Sequence, residues 1–198
     1  MRRLPVSLAV VLAAASSAAL LAATDVNLNV PISSRSMNSD LWSDFDTQVA
    51  AGATVDLARH GAPIHFAIGT QTSMSTKSFT DPLSEDTRAS ISEISFGLAK
   101  VWETKGSTRP FLGGGASFVT VEMEQNVILG TGIDRDRDDS IGFYVEGGVY
   151  WRLTSHFNFG LQGRTLMGTS VTLFGTEGDA NYWEAGPMLG WSWPGRPN

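Results

Sequence analysis

The chain has no cysteine, which excludes disulfide staples, thiol nucleophiles and cysteine-based metal sites. Lysine is almost missing, found at Lys77, Lys100 and Lys105, and charged residues of all kinds are 17% of the 198 positions. A soluble domain of this size would need a more densely charged outer wall. The few charges are therefore expected inside the fold and on its loops. Basic side chains are also scarce, 14 against 20 acidic, for a formal net charge of −6, which argues against nucleic acid as a partner. The length suits one domain.

Long apolar runs are missing too, with one exception at the start. Arg2 and Arg3 precede an apolar stretch over residues 4–21, and Ala22 and Ala23 follow it. A charged start, an apolar middle and a small-residue end make a secretory signal peptide over residues 1–23. Cleavage is expected after Ala23, with Ala19 and Ala22 as competing sites and a retained anchor as the alternative. Losing Arg2 and Arg3 takes the net charge from −6 to −8. No later run reaches the ~18 apolar residues of a spanning helix.

What is present is alternation. Ile141, Phe143, Val145, Gly147, Val149, Trp151 and Leu153 share one face of an extended chain, with Tyr144, Glu146, Tyr150 and Arg152 on the other, since successive strand side chains point to opposite sides. After the polar break Thr154-Ser155-His156, Phe157, Phe159, Leu161, Gly163, Thr165, Met167 and Val171 oppose Asn158, Gly160, Gln162, Arg164 and Ser170. Each run is about a dozen residues, against roughly five or six in an ordinary soluble sheet. A tilted strand needs about 9 to 11 to cross a bilayer. One apolar face and one face with Glu146, Arg152 and Arg164 suit a closed barrel with lipid outside and a polar lumen.

The rest of the chain reads the same way. Strand-like stretches fall at residues 25–33, 45–57, 64–74, 89–102, 110–124 and 181–193, in addition to the two just described. Loops are expected at 34–44, 75–88, 125–140 and 172–180, and short turns at 59–63, 103–109 and 154–156. In 45–57, Phe45 and Thr47 are expected outward and Asp46 and Gln48 inward. In 89–102, Glu93 must face inward, so Ile94, Phe96, Leu98 and Trp102 face lipid and Lys100 snorkels at the membrane edge. The stretch 110–124 is ambiguous. Keeping Glu122 and Glu124 off the lipid puts Val119, Val121 and Met123 outward, whereas glutamates standing above the bilayer would reverse that register. Eight strands with alternating long and short connections place the turns and both termini at one end. The fold class is an all-β, eight-stranded antiparallel up-and-down transmembrane barrel over residues 24–193, with a short tail at 194–198.

The mature chain resembles the small eight-stranded outer-membrane barrels, the group of the OmpA transmembrane domain and OmpX-like proteins. The most recognisable pieces are Pro110-Phe111-Leu112-Gly113-Gly114-Gly115 and Gly147-Gly148-Val149-Tyr150-Trp151-Arg152-Leu153. Glu184, Gly186, Leu189 and Trp191 are similar to the terminal signal read by the barrel assembly machinery, although five residues follow Trp193. The resemblance implies residence in the outer membrane of a Gram-negative bacterium, with outer-membrane lipid and lipopolysaccharide as surroundings and a monomer as the working form.

Several constellations bear on chemistry. Inward Arg152 and Arg164 are expected to neutralise Glu93, Glu146 and Glu184 in a buried network, because unpaired buried charge is too costly. A proton or ion path through that network is the rival, and a narrow barrel argues against it. Trp102, Trp151, Trp191 and Trp193 at one end, and Trp42 and Trp183 at the other, are expected to form the aromatic girdles. Asp134, Asp136, Asp138 and Asp139, interleaved with Arg135 and Arg137, invite a calcium reading, but Asp139 stands where a calcium loop needs glycine and Val145 where it needs glutamate. A solvated loop surface is favoured, open to lipopolysaccharide phosphates and their bridging cations. His65 and His156 are expected inward. Neither is followed two residues on by the serine of PagL-type lipid A deacylases, and no PagP-like motif is found. No catalytic residue, cofactor or metal is assigned. The rivals are a lipid A-modifying enzyme, a lateral carrier of apolar solutes with a weak wall at residues 113–115, and a lipocalin-type soluble barrel.

Overall fold

The computed structural model of the protein describes residues 24–42, 45–59, 61–77, 87–127 and 132–193. The expected signal peptide with its cleavage site, His60 and the tail 194–198 lie outside the described residues.

Alternating sequence becomes paired strand wherever both neighbours can complete the ladder. The strands are β1 (Thr24–Met37), β2 (Thr47–Arg59), β3 (Ile64–Lys77), β4 (Thr87–Val101), β5 (Thr108–Val127), β6 (Gly132–Arg152) and β7 (Phe157–Met167). Two short ones follow, β8 (Val171–Leu173) and β9 (Thr176–Gly178), and the last is β10 (Tyr182–Trp193). Eight of them close into an antiparallel barrel in the order β1-β10-β7-β6-β5-β4-β3-β2, while β8 and β9 form a separate hairpin. Closure satisfies the backbone without leaving an edge. The outer wall is apolar: Phe66, Phe96, Leu98, Leu112, Phe118 and Phe143 are all exposed. Such a belt is costly in water and stable in hydrocarbon, so the wall is a membrane wall.

Four differences from the sequence expectations matter for function. First, β1 runs to Met37, pairing with both β2 and β10 through Ser36. The expected loop start at residue 34 is strand, and Arg35 is inside the lumen. Second, β5 takes the opposite register. Val119, Val121 and Met123 are buried and Phe118 is 57% exposed, so the outward glutamates Glu122 and Glu124 stand above the lipid belt. Third, the expected loop at 125–140 is mostly strand, with β5 and β6 paired out to Val127 and Gly132. The nine residues beyond Phe118 on β5 span roughly 30 Å at about 3.4 Å each, with β4 paired alongside as far as Gln125, and this arm of extended strands rises past the end of β7. Fourth, Val171 does not continue the outer face of β7. It is buried with Leu173 in the β8–β9 hairpin.

The register of β5 and the burial of Val171 share one cause. The arm end of the lumen is filled by an apolar cluster of Ile91, Val119, Val121 and Leu166 beneath Trp42, Phe45, Val171 and Leu173. Inward apolar residues there break the rule of apolar outside and polar inside. Phe45, expected on the lipid face, is in this cap, and Asp46, expected inward, is exposed.

Candidate functional site

At mid-height the lumen holds one hydrogen-bonded network centred on two arginines. Arg35 Nε donates to Glu184 Oε2 at 2.9 Å, Nη2 to Gln71 Oε1 at 2.7 Å and Nη1 to Ser73 Oγ at 3.1 Å. Gln71 Nε2 in turn donates to Glu184 Oε1 at 2.6 Å, and Ser73 Oγ to Gln48 Oε1 at 2.6 Å. Arg164 Nη1 reaches Glu146 Oε2 at 3.1 Å, Nε reaches Tyr182 OH at 3.2 Å, and Nη2 reaches Ser117 Oγ at 3.2 Å and also bonds Glu93. Glu93 further accepts from Ser117 Oγ and Tyr182 OH, both at 2.6 Å. Arg35 lies 3.8 Å from Glu93, which joins the two halves.

Every barrel strand supplies a member: Arg35, Gln48, Gln71, Glu93, Ser117, Glu146, Arg164 and Glu184 come from β1 to β7 and β10 in turn. Each guanidinium also stacks on a tyrosine, Arg35 at 3.7 Å from the Tyr182 ring centre and Arg164 at 3.9 Å from that of Tyr144. Space for the Tyr144 ring exists because Gly97 has no side chain, since a Cβ there would lie 2.4 Å from the Tyr144 hydroxyl. Two small voids in the lumen, about 20 Å³ and about 10 Å³, each have room for about one water.

Of the five expected network residues, Glu93, Glu146, Arg164 and Glu184 meet as anticipated. Arg152 does not join them. It faces inward, but near the terminus end, where its Nη2 lies 3.5 Å from Glu103 beside the Arg109–Glu103 pair at 2.8 Å. Its place is taken by Arg35, which reads as a loop residue until the odd-numbered series Asp25, Asn27, Asn29 and Ser33 is carried two positions further. Tryptophan placement is also mixed. Trp102, Trp191 and Trp193 are exposed at the terminus end, Trp151 stacks on Phe159 at 6.4 Å, and Trp183 is exposed at the arm end. Trp42 is no girdle residue. It is 0% exposed on a short 3-10 turn, and its Nε1 donates to Asp179 O at 2.6 Å. His65 faces inward as expected. His156 sits in a turn outside the lumen, stacked on Trp191 at 5.9 Å.

The expected acidic loop is the rising part of β6, and its pleat sorts the charges. Asp136 and Asp138 face the β8–β9 hairpin, where Asp138 Oδ2 accepts from Thr172 N at 2.7 Å and Asp136 Oδ2 from Phe174 N at 2.5 Å. Arg135, Arg137 and Asp139 face out. Arg135 pairs with Glu122 at 3.2 Å and with Glu124, and Arg137 Nη2 lies 3.4 Å from Asp139. Asp134 is exposed. The hydroxyl of Thr120, donating to Asp139 Oδ1 at 2.6 Å, holds that carboxyl below the ordinary aspartate range. The wall at residues 113–115, which the lateral-carrier rival would need to be weak, is continuous, each glycine pairing with β4 and β6. The β1–β10 ladder instead skips Ile32 and Ser33 opposite Pro187 and Gly186, where Pro187 has no N–H to offer.

A closed eight-stranded wall, apolar outside and charged within, is the fold of the small outer-membrane barrels. No family model and no curated protein sequence matches the chain. Among solved structures, it is similar to OprG from Pseudomonas aeruginosa, at 13% identity and a TM-score of 0.58 over 86% of this chain and 96% of that one. It is also similar to Ail, the attachment invasion locus protein of Yersinia pestis, in complex with the heparin analogue sucrose octasulfate, at 8% identity and a TM-score of 0.57 over 86% and 99%. Neisserial surface protein A shares 14% identity at a TM-score of 0.54 over 85% and 96%. At these identities the likeness is one of fold.

Proposed function

We propose that the protein is a monomeric outer-membrane barrel of a Gram-negative bacterium, exported on a cleaved leader, closed to ions and solutes, and active through its arm and cap in envelope structure or surface interaction. The observation that carries this reading is the Arg35–Arg164 network, which ties all eight wall strands together across the lumen. An apolar cap lies above it. A solute path would have to break several charge-assisted bonds at low dielectric, each worth more than a neutral one. The last strand is taken as the part read by the assembly machinery.

The outer face of the arm sets the partner chemistry. Glu122, Glu124 and Asp139 are matched there by Arg88, which stands opposite Glu124, and by Arg135 and Arg137. This balanced face carries no excess positive charge for a polyanion such as the heparin analogue seen with Ail. Lipopolysaccharide phosphates would be met through divalent cations shared with the carboxylates. No catalysis is proposed, and lipid A from expressing cells is expected to keep its mass.

The deciding experiment is single-channel recording on the folded barrel in planar bilayers. The expected record has no conductance steps, and reproducible steps would overturn the closed lumen. A spin label at an exposed arm position, read with and without lipopolysaccharide and calcium, tests the surface role. Unchanged mobility would remove lipopolysaccharide as the partner.

A further inference from the structure

Below the arm, the outward positions of the eight wall strands carry two charged side chains among the described residues, Arg59 on β2 and Lys100 on β4. Both are exposed cations, and neither forms an ion pair with a described residue. They stand close together. In the register that pairs Leu57 with Phe66, Arg59 comes level with Ile64 two residues further on, and Ile64 pairs with Lys100. Two strand spacings, about 10 Å, therefore separate the backbones of the two cations. The Lys100 ammonium is 5.3 Å from the Trp102 ring centre, which puts it at headgroup level, where a barrel's outer wall tolerates charge and tryptophan settles. Glu103, beside Trp102 in sequence, is engaged by the inward Arg109 and Arg152.

The rest of this rim is built differently. On β6, β7 and β10 its outward positions carry Trp151, Phe157, Phe159, Trp191 and Trp193 and no charge. Beside Lys100, the lipid-facing wall is hollowed by a furrow of about 270 Å³ between Ile64, Leu98, Leu112 and Val145. Its floor is bare because Gly114 lies between Leu98 and Val145 on the neighbouring strands. That row is one pleat further from the turns than Lys100, so the furrow leads from the cation toward the middle of the bilayer.

We infer that Arg59, Lys100 and this furrow form a binding site for one anionic glycerophospholipid of the inner leaflet. The phosphate lies between the guanidinium and the ammonium, and one acyl chain lies in the furrow. Charge complementarity selects this occupant. The guanidinium offers phosphate two parallel N–H donors, and the ammonium adds a compact charge. A zwitterionic headgroup brings its own ammonium beside two cations, and no carboxylate of the described wall below the arm is there to receive it. A headgroup that ends in hydroxyls carries no such repulsion. The chain as a whole is acidic, with a net charge of −6, so a preference for an anionic lipid has to be local. The inference rests on the membrane reading of the barrel, so its test carries a separate readout of folding and insertion.

The mature protein, extracted folded from membranes, is examined by native mass spectrometry against equal amounts of phosphatidylglycerol and phosphatidylethanolamine of matched chains. Boiled and unboiled electrophoresis runs alongside. The expected result is one retained phosphatidylglycerol, preferred at least several-fold. Arg59→Gln with Lys100→Gln should abolish the preference, and Val145→Phe, which fills the furrow, should cut retention of both lipids several-fold. Arg88→Gln, which removes an outward cation at the arm end, should leave the preference unchanged. All three variants should keep the heat-dependent band shift. A band-shifted barrel that retains both lipids equally overturns the inference and leaves the membrane reading intact. So does a preference that survives the double substitution or is lost in Arg88→Gln, or undiminished retention in Val145→Phe. A soluble protein with no band shift overturns both.

Discussion

Arg35 and Glu184 stand directly opposite one another across the β1–β10 seam that closes the barrel, Nε to Oε2 at 2.9 Å, although 149 residues separate them in sequence. The first and last strands are thus joined by a buried ion pair as well as by backbone bonds. Breaking a buried pair from one side typically costs about 3–5 kcal/mol, because the other charge is left without compensation. Arg35→Ala should lose stability on that scale in denaturant unfolding in detergent or vesicles. Adding Glu184→Gln should recover part of the loss. Independent, additive effects of the two substitutions would show that the pair is not coupled.

The register of β5 can be read chemically, because a chain with no cysteine allows single cysteines to report alone. Cysteine at Phe118 should react with lipid-phase reagents, while cysteine at Val119 or Val121, both buried, should be protected in the folded barrel. Reversed labelling would restore the register in which Val119, Val121 and Met123 face lipid.

The β8–β9 hairpin turns at Phe174 and Gly175, with φ of 48° and 76°. A left-handed conformation costs a non-glycine residue about 1–2 kcal/mol, and the carboxylate of Asp136 holds the Phe174 amide in it. Phe174→Gly should therefore leave the cap at least as stable, by up to about 1 kcal/mol. Asp136→Ala with Asp138→Ala should expose the hairpin to protease while the wall strands stay resistant. A cap equally resistant in the double variant would remove these carboxylates as its anchors.

Asp139 sets the pH response of the arm. Its carboxyl is held below the ordinary value of 3.8, first by the Thr120 hydroxyl and then by Arg137. A depressed folded pKa means that its stabilisation is complete above 3.8 and is lost as pH falls through the folded value. The arm should be indifferent to pH near neutrality and loosen in strong acid. Thr120→Val should move the Asp139 titration, followed by NMR, back toward the ordinary value. An unmoved titration would show that Thr120 does not set it.

How far the sequence carries can be judged from particular residues. Phe96, Leu98, Glu93 and Arg164 face as their alternation says, because a strand buried in lipid on one side has no other stable choice. The same logic misplaces Val119 and Val121, whose surroundings are the apolar cap and not the bilayer. It also misses Arg35 and Trp42, whose partners Glu184 and Asp179 lie more than a hundred residues away.

The sequence by itself therefore determined the long amphipathic strands of the barrel, their number, the end that carries the turns, and most inward charges. Those features follow from local periodicity and from the cost of burying charge. Tertiary structure decided which face of β5 meets lipid, that the acidic stretch is a paired arm, and which arginines complete the lumen. Closure of the barrel and docking of the cap bring distant residues together. Local pattern carries no record of that, because an inward apolar residue under a cap and an outward one in lipid are the same residue seen from different surroundings.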